Sequence, residues 1–354
     1  MRETLAEWRP AVDAAIADVL PREIDADYLR SYFGDPTYEY DPEGIQRALS
    51  DPIWALLDRG GKRWRAVLFL VFVEAFGEDP EAYLPYATIP EILHNGTIIV
   101  DDVEDEAEKR RGEPALHHVY GQDVALNAGN AMYFLPLKII THDPGNLPAE
   151  RRLAAYEMLM HELNRTHLGQ GMDICWHNET ETRVTPEQYL EMCACKTGCL
   201  GRIVARLAAI VTDQPDDIEH HAAEYAETVA VAFQIGDDVL DVEHSLGRAG
   251  DFGKAFGNDI REGKRTLLVL RAIEESDPED ARRLEEIVAA DENTDEEIRE
   301  ALTIIEESGS IEYARERALE MADRAREHVD EMDLPDEQAE KLGSFADFVV
   351  ERDV

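Results

Sequence analysis

The chain is short of lysine, short of cysteine and without a long apolar run, and each shortage removes a class of protein. Seven lysines stand against twenty-eight arginines, and the balance of 35 basic against 77 acidic residues gives 35 − 77 = −42. That charge excludes nucleic acid and anionic membrane surfaces as general partners. The longest uncharged stretch, 124–137, is too short to span a bilayer and contains Asn127, Asn130 and Pro136, so no transmembrane segment is expected. The start, Met1-Arg2-Glu3-Thr4, lacks the basic and apolar regions of a signal peptide. Four cysteines, Cys175, Cys193, Cys195 and Cys199, make no evident disulfide framework. Three of them cluster, which admits a soft-metal site, but packed thiols in a reduced, cytoplasmic protein are the preferred reading. Strand-like alternation is nearly absent, which points to an all-α fold.

What is present is acid and a core. Forty-four per cent of residues are hydrophobic, enough to bury a substantial interior in 354 residues. The acid runs throughout the chain, whereas an acidic interaction protein would concentrate it in tails. An acid-rich, lysine-poor chain fits concentrated salt, where screening removes self-repulsion. Helical periodicity marks 64–75, 153–168, 189–209, 222–240, 266–273 and 311–325. Starts are signalled at Thr185-Pro186-Glu187, Ser276-Asp277-Pro278-Glu279 and Thr294-Asp295-Glu296-Glu297. Loops are expected at 34–44, 141–148, 178–184 and 246–263. The expected organisation is one domain over 1–354: an irregular N-terminal extension (1–50) with one helix at 4–20, a motif-bearing part (51–273), and acidic surface helices (274–354).

Two clusters of the form Asp-Asp-x-x-Asp each end an apolar stretch: Asp101-Asp102-Val103-Glu104-Asp105 and Asp237-Asp238-Val239-Leu240-Asp241. In a chain this acidic one such pattern arises by chance in about one chain in four, so a lone copy is weak and two are not. On a helix the outer aspartates share a face, with carboxylates about 6 Å apart along the axis. Such faces suit magnesium held against a diphosphate, because magnesium takes few carboxylates and fills its shell with phosphate and water. His94, spaced seven and four from Asp101 and Asp105, shares their stripe, and Gln234 shares that of Asp237, Asp238 and Asp241.

Basic residues complete the pattern. Gly60-Gly61-Lys62-Arg63-Trp64-Arg65 puts Lys62 and Arg65 on one face at a helix start. Arg110-Arg111-Gly112 follows the first cluster, Lys196-Thr197-Gly198 breaks a helix at a polar point, and Lys254 and Lys264 flank a Gly-containing loop after the second cluster. In a chain that avoids lysine these positions suit phosphate binding. Together with Gly169-Gln170-Gly171-Met172-Asp173 and 257–264, they make the chain resemble the trans-isoprenyl diphosphate synthases of the polyprenyl synthetase family over about 55–270. Finer wording, such as His94-Asn95-Gly96-Thr97 and Asn130-Ala131-Met132-Tyr133-Phe134, is most similar to geranylgeranyl diphosphate synthases.

The resemblance implies an isoprenoid synthase-type helical bundle around a central active-site cavity, working as a homodimer. It implies condensation of isopentenyl diphosphate with allylic diphosphates (dimethylallyl, geranyl, farnesyl) to geranylgeranyl diphosphate, with three magnesium ions for which manganese substitutes. Asp101, Asp105 and Asp237 would bind metal, with Asp238 and Asp241 supporting and Asp241 itself among the metal residues, and Asp102 and Lys196 would join Asp101, Asp105, Asp237 and Asp238 as catalytic residues. Arg110, Lys196, Thr197, Gln234, Lys254 and Lys264 would hold the allylic diphosphate, and Lys62, Arg65, His94 and Arg111 isopentenyl diphosphate. The physics agrees: breaking the allylic C–O bond leaves a cation and a diphosphate whose growing charge needs preplaced cations. Gly96 and Thr97 are too small to floor the product tunnel, and the resemblance to geranylgeranyl-type enzymes places Tyr133 and Phe134, with His167 nearby, at that floor, where either ring is the expected stop. A longer-chain synthase is the nearest alternative. A terpene cyclase is disfavoured by Lys62, Arg65 and Arg111, and a non-catalytic partner subunit by its intact acid clusters.

Overall fold

The structure is a computed structural model that describes residues 2–142, 147–178, 184–248, 256–290 and 292–350. By contacts the chain divides into two compact units, one made of Arg2–Glu74 and Glu78–Tyr156, the other of Ala75–Gly77 and Glu157–Val354.

The first unit carries α1 (Arg2–Val19), α2 (Ala26–Phe33), α3 (Pro42–Ile45), α4 (Asp51–Leu57), α5 (Trp64–Ala75), α6 (Leu84–Glu104), α7 (Leu116–Tyr120), α8 (Gln122–Phe134) and α9 (Leu137–His142). The helix expected at 4–20 is α1, which buries Leu5, Val12 and Ile16 and packs against α6; the two further helices and the π-helical turn, Gln46–Ser50, that follow it were not expected. Apolar side chains on one face of α1 carry that packing. Helix α5 spans the predicted 64–75 and is buried along its whole length from Trp64 to Val73. Helices α6 and α8 cross closely at Gly96 and Gly129. A Cβ on Gly96 would meet Met132 Cβ at 2.8 Å and the Gly129 carbonyl at 3.0 Å.

One β-hairpin was not expected. Strands β1 (Lys109–Arg110) and β2 (Glu113–Pro114) pair antiparallel through Arg111 and Gly112, both at positive φ (55° and 81°). Two left-handed central residues are the signature of a two-residue turn whose twist matches its strands.

Helix α10 (Ala149–Asn178) begins in the first unit and continues in the second. The second unit goes on through α11 (Pro186–Cys193), a π-helical turn (Ala194–Gly198), α12 (Cys199–Val211), α13 (Asp216–Ser245), α14 (Asn258–Arg261), α15 (Leu267–Glu275), α16 (Pro278–Val288), α17 (Asp295–Glu307), α18 (Ser310–Asp330) and α19 (Asp336–Val350). Thr185 and Thr294 form capping boxes with Gln188 and Glu297, and Asp277 accepts from the backbone N–H groups of Glu279 and Asp280. The region beyond 274 is more than surface: Leu284, Ile287, Ile298, Ile305, Ile311 and Ala314 join one apolar core with Ile235, Leu267 and Leu268. Cys193, Cys195 and Cys199 are buried free thiols, whereas Cys175 is exposed. Among the described residues no helix is long and apolar enough to cross a membrane.

Candidate active site

The first acid cluster occupies the last turn of α6. Asp101 and Asp105 share one face, and Asp101 keeps 22% of its side chain exposed. The last turn contains no basic residue, so the unsatisfied carbonyls of the helix end add to the negative potential there. Asp102 differs from its neighbours. It is buried and accepts two hydrogen bonds from the Arg110 guanidinium, the one from Nε at 2.7 Å. Burial nevertheless pushes its carboxyl above the usual range, against the opposing pull of Arg110. Arg110 also lies 3.9 Å from Asp101. The hairpin thus returns a cation to the acid cluster that precedes it.

His94 lies two turns upstream on α6. Burial, and then the fields of Arg65, Arg111, Arg110 and Arg63, hold its imidazole well below the ordinary range, so it is neutral. Four guanidiniums thus act on a neutral imidazole, two of them, Arg63 and Arg110, already paired with carboxylates. Lys62 is exposed on the loop before α5 and not on the helix, as the spacing had suggested; Arg65 is buried in the first turn, its guanidinium 4.3 Å over the Trp64 ring. Arg111 donates to the carbonyls of Gly60 and Leu56 and, at 3.1 Å, to Asn95 Oδ1. Burial, with Arg63 next in effect, lowers it to about 10.

In the second unit the π-helical turn presents Lys196 to Asp173, with Nζ 2.6 Å from Oδ2. Thr197 donates to Gln234 at 3.3 Å, Gln234 donates to Asp238 at 3.0 Å, and the Tyr189 hydroxyl donates to the other oxygen of Asp238. Asp238 is therefore a buried brace. Asp241, 1% exposed, accepts the backbone N–H of Asp259 at 3.3 Å, leaving Asp237 as the more accessible member of the cluster. Lys264 pairs with Glu262 at 2.5 Å. Lys254 lies outside the described residues.

Among the product-length candidates, Gly96 sits in the α6–α8 crossing and Thr97 donates to the His94 carbonyl. Tyr133 is buried, within the fields of Glu104 and Asp101, whereas Phe134 is 66% exposed and His167 is exposed as well. Asp173, Tyr189, Glu91 and Asn95 were not assigned roles from the sequence. Asp173 and Asn95 had a signal, their places in the Gly169-to-Asp173 and His94-to-Thr97 motifs.

These motifs fall inside a match to the polyprenyl synthetase family model over residues 46–305. The chain belongs to the polyprenyl synthetase family. It is an enzyme of the prenyltransferase class. A geranylgeranyl pyrophosphate synthase of Geoglobus acetivorans is 33% identical over 316 residues, which cover 89% of this chain and 93% of that protein. A geranylfarnesyl diphosphate synthase of Natronomonas pharaonis is 32% identical over 314 residues, covering 84% and 88%. The crystal structure of a geranylgeranyl pyrophosphate synthetase from Pyrococcus horikoshii aligns at a TM-score of 0.82 and 28% identity, covering 99% of this chain and 98% of that one.

Proposed function

We propose that this enzyme extends allylic diphosphates with isopentenyl diphosphate to geranylgeranyl diphosphate or the next longer product, geranylfarnesyl diphosphate. What supports the substrate assignment is the grouping of Arg63, Arg65, Arg110 and Arg111 about the buried imidazole of His94, on the same helix as Asp101 and Asp105. Relatives of similar identity carry both product lengths in their names, so the product is a trans-prenyl diphosphate of this size class.

Lys62, Arg65, His94 and Arg111 take the diphosphate of isopentenyl diphosphate. Arg110, Lys196, Thr197, Gln234, Lys254 and Lys264 take that of the allylic substrate. His94, being neutral, offers a ring N–H without adding a charge. Asp173 holds Lys196, and Asp238 holds Gln234, in fixed orientation until substrate arrives. Asp101, Asp105 and Asp237 are the metal ligands, with Asp241 in support. Among the described residues no three His, Cys, Asp or Glu side chains converge enough to hold an ion by themselves. Magnesium binds through one or two carboxylates and completes its shell with phosphate and water. Bound there, magnesium would neutralise the charge that grows on the departing diphosphate.

The exposed apolar residues Leu153, Met160 and Leu168, seven and eight positions apart on α10, support a homodimer through that face. The deciding experiment is chromatography of products made from labelled isopentenyl diphosphate and each allylic primer, with and without magnesium. A C20 or C25 product that requires the metal is expected. Cyclised hydrocarbon, or no condensation by the pure protein, would overturn the assignment.

A further inference from the structure

Arg63 stands in the middle of the motif 60–65, yet its side chain turns away from solvent and is only 4% exposed. Its backbone is left-handed (φ 53°), a region that a residue with a Cβ occupies only when its surroundings impose it. Three groups impose it here. Arg63 Nε donates to Asp13 Oδ1 at 2.8 Å, Nη2 donates to the Leu57 carbonyl at 3.0 Å, and Nη1 lies 3.5 Å from Glu91 Oε1. The chain of contacts continues. Asn95 Nδ2 donates to the Glu91 carbonyl at 2.8 Å, and Asn95 Oδ1 accepts from Arg111, itself left-handed, which donates to the Gly60 carbonyl. Gly61 lies against both guanidiniums: a Cβ there would sit 3.1 Å from Arg63 Nη1 and 3.6 Å from Arg111.

We propose that Arg63 is a positioning residue for isopentenyl diphosphate, and that Asp13 of α1, together with Glu91, locks it so that the Gly60–Gly61 loop delivers Lys62 and Arg65 in the binding orientation. The N-terminal helix is thereby a working part of the site. Its apolar face docks on α6 and brings Asp13 to the loop from a segment distant in sequence. A buried ion pair contributes little net stability compared with apolar packing, so its retention at a strained loop points to conformational specificity. Without the pair, the glycines leave Lys62 many orientations, and a binding group held loosely by even an ångström loses much of its effect.

The proposal rests on Lys62 and Arg65 being ligands of isopentenyl diphosphate, and the experiment separates the two. Steady-state kinetics and calorimetric titration with isopentenyl diphosphate would compare Lys62→Ala, Asp13→Ala, Asp13→Glu and Arg63→Gln. Asp13 is at the half-exposed end of the network, and Glu91 and the Leu57 carbonyl still face Arg63, so Asp13→Ala should fold with only a modest fall in melting temperature. It should raise the KM and Kd for isopentenyl diphosphate roughly tenfold, with kcat and the allylic KM within about twofold, and Asp13→Glu should restore much of the loss. If Lys62→Ala raises that KM but folded Asp13→Ala does not, the positioning role is wrong. A uniform loss in both substrates and kcat, with lowered melting, would likewise overturn it in favour of a purely structural pair. If Lys62→Ala itself leaves the KM unchanged, the assignment of the site has failed instead. Should Arg63→Gln not fold, the Asp13 pair of variants carries the test alone.

Discussion

Asp101 and Asp102 are adjacent in sequence and opposite in environment. Asp101 is partly exposed on the face it shares with Asp105, whereas Asp102 is buried on the Arg110 guanidinium. Asp101→Asn should therefore lower kcat by about a thousandfold or more while the melting temperature hardly moves, because a metal ligand is lost and no packing is. Asp102→Ala should instead cost about 1–3 kcal/mol in urea unfolding, since it strands a half-buried arginine; the partial exposure of Arg110 keeps the cost below that of a fully buried pair. Equal melting of the two variants would refute the distinction. The same contrast applies to the product-length pair. Tyr133 is buried near the acid cluster and Phe134 is mostly exposed, so Tyr133→Ala should lengthen the product and Phe134→Ala should not. Chromatography of the products of both variants decides it, and longer chains from Phe134→Ala alone would reverse the assignment. Gly96 cannot be tested by inserting an aromatic ring, because its missing Cβ is what lets α8 approach α6.

At the scale of elements, the contact between α10 and the π-helical turn does the most for the site. A Cβ on Gly169 would lie 2.3 Å from the Lys196 backbone nitrogen and 2.8 Å from Cys195 C, so one helix must move to admit even alanine. Gly169→Ala should destabilise by about 3 kcal/mol and also raise the KM for the allylic diphosphate, because Lys196 is carried by the displaced segment. Wild-type melting and kinetics would show that the two helices can separate freely. The break at Lys196 was legible in the sequence as a glycine after two polar residues; its π-helical form was not, since one extra residue per turn leaves no compositional mark. Helix α5 was readable because residues 66–73 after the motif are all apolar, and the starts of α11, α16 and α17 because their caps are local. The hairpin was invisible because strands of two residues have no alternation to read. The helix at 4–20 was legible despite Pro10, which is tolerated inside it, whereas the short helices that follow were obscured by prolines at 21, 36 and 42, of which Pro42 begins one. Beyond 274, the buried isoleucines were masked by the charge around them. The left-handed backbones of Arg63 and Arg111 depend on partners far along the chain, and no local pattern encodes them.

For the whole molecule the governing quantity is charge. With 77 acidic against 35 basic residues, pairing every lysine and arginine would still leave 77 − 35 = 42 carboxylates without a partner. The exposed pairs that do form, such as Arg283 with Glu297 and Glu300, are worth little individually. Salt weakens these attractions and the repulsions alike, but the repulsions outnumber them, so the net effect of screening is stabilising. At 0.1 M salt the screening length is about 10 Å, which lets neighbouring surface carboxylates feel one another; at 1 M it is about 3 Å, which does not. Melting temperature and activity should therefore rise together from dilute buffer to molar potassium chloride. Buried pairs such as Arg63 with Glu91 and Arg202 with Glu162 are screened far less, so the gain should come from the surface and leave the site's internal geometry unchanged. Thermal melts and condensation assays across that range measure it, with sodium chloride as a control for specific potassium binding. A melting temperature flat between 0.05 M and molar salt would mean that the excess carboxylates lie too far apart to repel, and the assignment of the chain to concentrated salt would fall.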